Sequence, residues 1–364
     1  MAYFYNDNNN IVIKGIMCAV PKNKVCVKDF EKQFGKEVVE RFIRNTGISK
    51  LHRTLETQTA SDLGYEAAAN LINKLNIPKT DIGLLIFITQ SPDYRKPATA
   101  CILQKRLNLP FECAAFDINL GCSAFVYGNE IIQSLLKNCN KKYGLLIIAE
   151  TSSKLAAPND TATTMMFGDA GSVIIYEKQE IEIKNQASAT LLMTDGNRFK
   201  SIIVPSGGFR DMHPDNEYYI ASDGKKYSKY YSFMDGVGVF SFAVTDVVES
   251  IRKFLNKYHK NIEDYDYVLL HQANNLIIKQ IAHKLLIPNN KLLYSLQEYG
   301  NTSGVSIPLT ISNVFGNKHE GNKHILAVGY GIGLSWGVAD LFINTNNIFN
   351  IIETDEHYDE GIIK

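Results

Sequence analysis

The order of strands and helices recurs once along the chain, and this repeat limits the fold more than any other feature. Apolar runs of strand length alternate with segments that have the apolar spacing of one helix face. The same order returns in the second half, although few residues are identical. The matching segments are DIGLLIFITQS with DYDYVLLHQAN, AAFDINLGCSA with KLLYSLQEYGNTSG, GLLIIAETS with KHILAVGYG, and FGDAGSVIIY with GYGIGLSWGVADL. The repeat predicts two similar α/β units.

Several of the strand segments are continuously apolar, as in IGLLIFI. Such strands are typical of parallel or mixed sheets that helices cover on both faces. We expect one half over residues 1–177 and the other over residues 178–343. An irregular zone at about 207–229 predicts a surface insertion, and residues 344–364 predict a polar, acidic C-terminal appendage. Loops at equivalent strand ends would then meet between the halves.

The charge balance gives no reason to expect binding to nucleic acid. The 364 residues include 38 Lys and Arg and 38 Asp and Glu, so the formal net charge is zero. The N-terminus lacks the order of a signal peptide, and no apolar run reaches the ~18 residues that span a bilayer. The six cysteines form no CxxC pair and lack metal-ligand spacing. We therefore expect free thiols, no metal and a reduced cytoplasmic compartment.

Cys122, in DINLGCSAF, lies where a predicted strand gives way to a predicted helix. Alone it is more typical of a small buried core residue than of a nucleophile. A thiol at a helix N-terminus faces unpaired N–H groups and the positive end of the helix dipole, and both favour the reactive thiolate. The position therefore favours a nucleophile as much as a packing role.

His271 closes the apolar strand of LLHQAN, and Asn301 lies in YGNTSG. Separately, each is ordinary: a histidine at the end of a buried strand, and an asparagine beside a glycine in a turn. Together with Cys122 they fit two chemistries. In a cysteine hydrolase the Asn orients the His. In a condensing enzyme both donate hydrogen bonds to a thioester oxygen that becomes an enolate.

Six motifs follow one another within residues from about 11 to 343: NTGISKLHR, DINLGCSAFVYG, MMFGDAGSVII, LLHQAN, YGNTSG and GYGIGLSWG. Together they resemble the β-ketoacyl-acyl-carrier-protein synthase III family of thiolase-fold condensing enzymes. The resemblance implies a thiolase-like α/β fold, with two duplicated halves in a layered α-β-α-β-α core. It also implies decarboxylative Claisen condensation of an acyl primer with a malonyl-type thioester, in fatty-acid or specialised acyl biosynthesis.

The resemblance implies a role for each candidate catalytic residue. Cys122 would attack an acyl thioester and carry the acyl group. The backbone N–H groups of Cys122 and Ile332 would form the oxyanion hole. His271 and Asn301 would bind the carbonyl of the extender as CO₂ leaves, and a neutral His271 that donates through Nε2 suits this step. No bound cofactor is implied; the substrates are phosphopantetheine thioesters of acyl carrier protein or coenzyme A.

The resemblance also implies an acyl pocket and a homodimer. Phe240 would line the pocket, and the segment around Lys96 would reach the pocket of the neighbouring subunit. Family members often have an aromatic residue at the position of Lys96. A lysine there favours a polar or longer acyl group.

The sequence departs from the family at the thioester donor site. Arg41 and Thr161 stand where well-known members have the Trp and Arg that sandwich the adenine of coenzyme A. Leu276 replaces an arginine that docks carrier protein, although the same helix carries a basic strip of Lys279, His283 and Lys284. These changes favour a specialised synthase whose non-standard primer arrives on a carrier protein.

Three alternatives stay open from the sequence. A relative of the same fold passes the acyl group to an alcohol, amine or sugar without forming a carbon–carbon bond. A cysteine hydrolase keeps the Cys-His-Asn order but does not need the repeat. A non-catalytic binding module would not need the complete Cys122, His271 and Asn301 set.

Overall fold

Two β-sheets, one of six strands and one of five, form the centre of the fold. The computed structural model describes residues 2–6, 10–180, 188–213, 218–220 and 226–359. Within them the strands are β1 (Ala2–Asn6), β2 (Ile11–Pro21), β3 (Lys24–Cys26), β4 (Lys50–His52), β5 (Ile82–Ile88), β6 (Ala114–Ile118), β7 (Tyr143–Glu150), β8 (Ala170–Lys178), β9 (Ser188–Thr194), β10 (Ile202–Ile203), β11 (Tyr218–Ile220), β12 (Lys226–Ser228), β13 (Phe233–Met234), β14 (Tyr267–Leu270), β15 (Asn322–Gly331), β16 (Ser335–Asn344) and β17 (Ile352–Thr354).

Helices connect the strands and cover the sheets. They are α1 (Glu31–Phe34), α2 (Lys36–Thr46), α3 (Ala60–Lys74), α4 (Thr99–Arg106), α5 (Ala124–Asn138), α6 (Thr161–Thr164), α7 (Gly236–Phe242), α8 (Val248–Lys257), α9 (Asn275–Leu285), α10 (Leu296–Tyr299) and α11 (Ser306–Phe315). In the described part of the chain, none of these helices has the length and apolarity needed to cross a bilayer.

The two sheets repeat one topology, as the sequence predicts. The larger sheet has the order β17-β2-β8-β7-β5-β6, and the smaller has the order β1-β9-β16-β15-β14. In each, one parallel pair, β7 with β5 or β15 with β14, is followed by antiparallel neighbours, β8 and β2 or β16 and β9. An isolated parallel bridge between Val268 and Leu292 takes the place of β6 in the smaller sheet.

The layers alternate as a thiolase-like fold requires. Helix α5 lies between the sheets and contacts β5 and β7 on one side and β15 and β16 on the other. Successive residues of β15 alternate between two cores: Ile325 and Ala327 pack in the core around α5, whereas Leu326 and Val328 pack with α8 and α9. Helix α3 covers the other face of the larger sheet. The predicted α-β-α-β-α layering is confirmed.

Gly128 allows α5 to lie close to the larger sheet. A Cβ at this position would come within 2.8 Å of the side chains of Ile88 and Leu146. Only hydrogen fits there, so the helix that begins just after Cys122 is held directly against β5 and β7.

Each terminal segment pairs with the sheet that is built mainly from the other half of the chain. Strand β1, from the N-terminus, pairs with β9 in the smaller sheet, and β17, from the C-terminal tail, pairs in parallel with β2 in the larger sheet. The assignment of residues 344–364 to a polar, acidic C-terminal tail stays a prediction; within that tail, Ile352–Thr354 join the larger sheet as β17, and residues 360–364 lie outside the described residues. The division into halves at residues 177 and 178 stays a prediction.

The zone at 207–229 contains a short hairpin rather than loop alone. Strands β11 and β12 pair in antiparallel fashion, with Tyr219 opposite Tyr227. On either side of this zone, β10 pairs with β13, so the zone links two strands that stand next to each other. Residues 214–217 and 221–225 lie outside the described residues.

Candidate active site

The carboxyl ends of three adjacent strands of the larger sheet meet at one edge. Strands β6, β5 and β7 are parallel, and Cys122 follows β6 after a short turn. In the smaller sheet, His271 directly follows β14. Both residues line one cavity of about 380 Å³, together with Asn301 and Ile332. The structure thus brings together all four residues that the sequence proposed for the reaction centre.

Gly331 lies against the nucleophile. A Cβ at this position would be 2.6 Å from Cβ and 2.7 Å from Sγ of Cys122, so no larger residue fits without movement. Strand β15 therefore passes directly against Cys122 and brings the next residue, Ile332, to the thiol. The backbone N–H of Ile332 hydrogen-bonds to that thiol, as an oxyanion-hole donor beside Sγ would.

The expectation of a thiolate at Cys122 requires a correction. Cys122 precedes Ser123, the N-cap of α5, and so does receive hydrogen bonds from backbone N–H groups, including that of Ile332. Burial has the larger effect and raises the pKa of the Cys122 thiol above its ordinary value. The resting residue is a neutral thiol, with the Ser303 hydroxyl 3.9 Å from Sγ.

His271 is a neutral ring with a fixed orientation. Burial lowers its pKa to about 3, so the imidazole is uncharged near pH 7. Its Nδ1 lies 2.6 Å from the Ser306 hydroxyl, which has no other partner among the described residues. We assign the Ser306 O–H as the donor to Nδ1, because this gives the hydroxyl proton an acceptor, and the ring proton is then on Nε2.

Asn301 is also held with its donors available. Its Oδ1 accepts the backbone N–H of Ser303 at 2.9 Å, which identifies the oxygen and leaves the Nδ2 group for the cavity. Its backbone bridges the turn after α6, because its N–H donates to Met166 and its carbonyl accepts from Gly168. The side chain that would bind a thioester oxygen is therefore anchored on both sides.

The remaining polar residues of LLHQAN have structural roles. Gln272 donates to the carbonyls of Leu270 and Leu293 and accepts the N–H of Ser295, so it ties β14 to the segment before α10. Asn274 caps α9 by accepting the N–H of Ile277. The motif thus combines one reactive side chain with two that fix its surroundings.

Glu150 is a cavity residue that the sequence reasoning missed. It ends β7 and is 1% exposed, yet it lines the cavity that contains Cys122. Its carboxyl accepts the backbone N–H of Gln90 at 3.0 Å and the hydroxyl of Ser91 at 3.1 Å. Burial raises the pKa of Glu150 to about 8. A carboxylate at the end of the apolar run YGLLIIAE was the signal that could have identified it.

Other proposed residues lie away from the cavity lining. Phe240 packs against the outer core of the smaller sheet, and its neighbour Val239 lines the cavity instead. Lys96 is exposed on the loop before α4. The basic strip is exposed on α9: Lys279, His283 and Lys284. The roles proposed for these residues stay predictions. Among the described residues, no cluster of three or more His, Cys, Asp or Glu is placed to hold a metal ion.

Comparisons with known proteins agree with this geometry. Residues 116–196 match the family model described as 3-oxoacyl-[acyl-carrier-protein (ACP)] synthase III, and residues 255–341 match its C-terminal counterpart. A β-ketoacyl-[acyl-carrier-protein] synthase III of Clostridium perfringens is 35% identical over 337 residues, which cover 91% of this chain and 98% of that protein. The crystal structure of a 3-oxoacyl-(acyl-carrier protein) synthase from Burkholderia xenovorans superposes with a TM-score of 0.90 at 32% identity, covering 97% of this chain and 99% of the other. The chain therefore belongs to the β-ketoacyl-[acyl-carrier-protein] synthase III family.

Proposed function

We propose that this enzyme condenses an acyl primer, carried on Cys122, with a malonyl-type thioester of acyl carrier protein to give a 3-oxoacyl product and CO₂. One observation carries the proposal: a buried thiol, a neutral imidazole and an anchored amide share one cavity. The imidazole and the amide each offer an N–H donor, and neither adds a charge. An enolate oxygen needs such donors as its charge develops.

In the first step, the thiol of Cys122 attacks the carbonyl of an acyl thioester. A carbon–sulfur bond to Cys122 forms, the bond to the carrier sulfur breaks, and the proton of the thiol passes to the departing thiolate. The N–H groups of Cys122 and Ile332 stabilise the oxyanion of the tetrahedral intermediate. The hydrogen bond from Ile332 to the resting thiol supports this role.

In the second step, Nε2–H of His271 and Nδ2–H of Asn301 donate to the thioester oxygen of the extender. Cleavage of the bond to the carboxylate releases CO₂, and its electron pair forms the enolate. The enolate carbon attacks the acyl carbonyl, a carbon–carbon bond forms, and the bond to Cys122 breaks. The sulfur of Cys122 then regains a proton. A neutral His271 suits this step, because its Nε2–H donates a hydrogen bond to the enolate oxygen while the ring stays uncharged.

Delivery of the primer by acyl carrier protein is supported by the exposed charges near the cavity. Arg41 on α2 is exposed, and α2 contacts α9, which carries the exposed Lys279 and Lys284. Asn274, the N-cap of α9, and Ile277 line the cavity. This basic surface favours an acidic carrier protein electrostatically. Acyl-coenzyme A remains the second donor to test.

A homodimer is supported by the edge of the larger sheet. Within the described part of the chain, strand β6 pairs with β5 alone; it is partly exposed and follows Phe111, whose side chain is fully exposed. An open strand edge beside an exposed aromatic residue is typical of a surface that pairs with another chain. In such a dimer, the loop that carries Lys96 would lie beside the partner's cavity.

Intact mass spectrometry tests the first step, and CO₂ release tests the second. After incubation with acyl thioesters, a mass increase on the wild type that is absent from the Cys122→Ala variant would identify the acyl-enzyme. Release of CO₂ from malonyl-carrier protein, with a 3-oxoacyl product, would establish condensation. Transfer of the acyl group to an alcohol, amine or sugar without CO₂ would replace condensation with the acyltransferase alternative.

The carrier preference has its own test, with acetyl-coenzyme A and acetyl-carrier protein compared at equal concentration. Faster acylation of Cys122 by the carrier-protein donor is expected. Efficient acetyl loading from coenzyme A, together with tight binding of coenzyme A, would overturn the proposal that a non-standard primer arrives on a carrier protein.

A further inference from the structure

Part of the cavity wall is polar where an alkyl primer needs only apolar contacts. The wall is built at the carboxyl ends of β5 and β7, on the same sheet edge as Cys122. Ser91 follows β5, Glu150 ends β7, and Ser152 begins the turn beyond it. All three line the cavity together with Cys122.

Ser232 joins the wall from the second half of the chain. Its backbone N–H donates to the carbonyl of Leu155 at 2.9 Å, and Leu155 closes the 3-10 turn that Ser152 opens. Ser232 and Ser152 therefore stand on hydrogen-bonded neighbouring segments, and both line the cavity. Among the described residues, neither hydroxyl has a hydrogen-bond partner.

Glu150 supplies a third polar group to this wall. Each of its oxygens already accepts one hydrogen bond, from the N–H of Gln90 and from the hydroxyl of Ser91. Ser91 in turn accepts the N–H of Thr151 at 2.9 Å, so its hydroxyl is held in place. With a pKa of about 8, the buried carboxyl is mainly protonated near pH 7. Its O–H can donate to the Ser91 hydroxyl or to a group in the cavity.

We propose that the acyl primer on Cys122 carries a hydroxyl group, or a similar group that both donates and accepts, and that Ser152, Ser232 and Glu150 bind it. The inference rests on the proposed function, because it concerns the acyl group that Cys122 receives. A hydroxyl matches the wall, since it accepts from one serine or from the acid and donates to the other serine. A saturated alkyl primer leaves the hydroxyls of Ser152 and Ser232 without a partner among the described residues, which a site built on hydrogen bonds penalises.

The test compares 3-hydroxybutyryl and butyryl thioesters, which differ by one oxygen. Both enantiomers of the hydroxylated primer are offered, on coenzyme A and on carrier protein, and acylation of Cys122 is followed by intact mass over time. The hydroxylated primer is expected to acylate wild-type Cys122 about 10- to 100-fold faster. In the Ser152→Ala/Ser232→Ala double variant, its rate should fall toward that of butyryl. Ser134→Ala, which removes an exposed hydroxyl from α5, should keep the preference.

Two outcomes would overturn the inference alone. In one, butyryl loads as fast as the hydroxylated primer. In the other, the double variant slows both primers equally, which would mean that the serines bind the phosphopantetheine arm. A third outcome, in which neither thioester nor an acetyl or longer-chain control acylates Cys122, would overturn the proposed function and this inference with it.

Discussion

The Nδ1 atom of His271 lies 2.6 Å from the hydroxyl oxygen of Ser306, and this contact leaves the other ring nitrogen, Nε2, for the cavity. His271 ends β14, whereas Ser306 begins α11, so two separate elements must pack correctly to form the contact. Burial alone keeps the ring neutral. A hydrogen bond from the Ser306 hydroxyl to Nδ1 then keeps the single N–H proton of the neutral ring on Nε2.

Replacing Ser306 by alanine should slow condensation more than acylation. Without the hydroxyl, the ring can place its proton on either nitrogen and rotate, so the enolate loses a fixed donor. We expect malonyl decarboxylation to fall by about 10- to 100-fold, less than the 10²–10³-fold typical for loss of a complete donor. Acylation of Cys122, which does not use His271 in the proposed mechanism, should change little.

Two variants separate this effect from a loss of packing. Ser306→Thr keeps a hydroxyl and should retain most of the activity. Ser312→Ala removes another buried serine from α11, without contact to His271, and should behave as wild type. Equal losses of both half-reactions in Ser306→Ala would argue against a positioning role.

The change Asn301→Asp should remove the second donor while the local structure persists. The carboxylate still accepts the N–H of Ser303 that Oδ1 accepts in the wild type. It has no N–H to offer the enolate, and its charge opposes the developing negative charge. Condensation should fall by at least about 10²–10³-fold, measured as CO₂ release from malonyl-carrier protein. The acyl-Cys122 adduct should still form, and Asn313→Asp, at an exposed position of α11, serves as the control. Normal condensation in Asn301→Asp would exclude Asn301 as a donor.

Local patterns predicted the elements of the fold, but not the contacts that join distant segments. The apolar runs of β5, β7 and β15 predicted the sheets, and the repeat of these runs along the chain predicted the duplicated topology. The pairing of β1 with the smaller sheet and of β17 with the larger sheet was missed, because AYFYN and IET are too short to show a pattern. Pairing over such a separation depends on the tertiary structure and not on local periodicity.

The same limit explains what was missed in the site. Residue types and order singled out Cys122, His271 and Asn301, because those types carry the chemistry. The pKa of the Cys122 thiol was expected to be lowered, since a helix start is visible in sequence while burial is not. Glu150 and Ser306 acquire their importance only from neighbours distant in sequence, so the sequence contained no pattern for their contacts.

Gly331→Ala should disable the nucleophile through packing alone. The new methyl group would be placed 2.6–2.7 Å from Cβ and Sγ of Cys122, and the backbone of β15 is fixed by its pairing with β14 and β16. Cys122 must move, and the overpacked core should lose ~1–3 kcal/mol of the free energy of unfolding. Acylation of Cys122, measured by mass spectrometry, should fall sharply in the folded variant. Urea denaturation measures the loss in the free energy of unfolding. Gly208→Ala, where a Cβ meets nothing within 4 Å, is the control. Unchanged acylation in Gly331→Ala would contradict the close approach.

Glu150→Gln should shift the reactivity of Cys122 toward lower pH. When ionised, Glu150 raises the pKa of the Cys122 thiol, in addition to the larger effect of burial. An uncharged glutamine removes that contribution, so alkylation of Cys122 by iodoacetamide should reach its half-maximal rate at a lower pH than in the wild type. A profile that stays unchanged or moves to higher pH would show that Glu150 does not act on the thiol.

The free energy of unfolding of Glu150→Gln should also depend on pH in a different way from that of the wild type. The folded protein holds the pKa of Glu150 at about 8, above the ordinary value of 4.5, so between these values the folded state binds the proton more strongly than the unfolded chain. The stability that this group contributes is therefore fully present below pH 4.5 and is lost as the pH rises toward 8. Glutamine does not titrate, so the free energy of unfolding of Glu150→Gln relative to wild type should increase over this range. Urea denaturation at a series of pH values measures the difference, and a constant difference would place the pKa of Glu150 near its ordinary value.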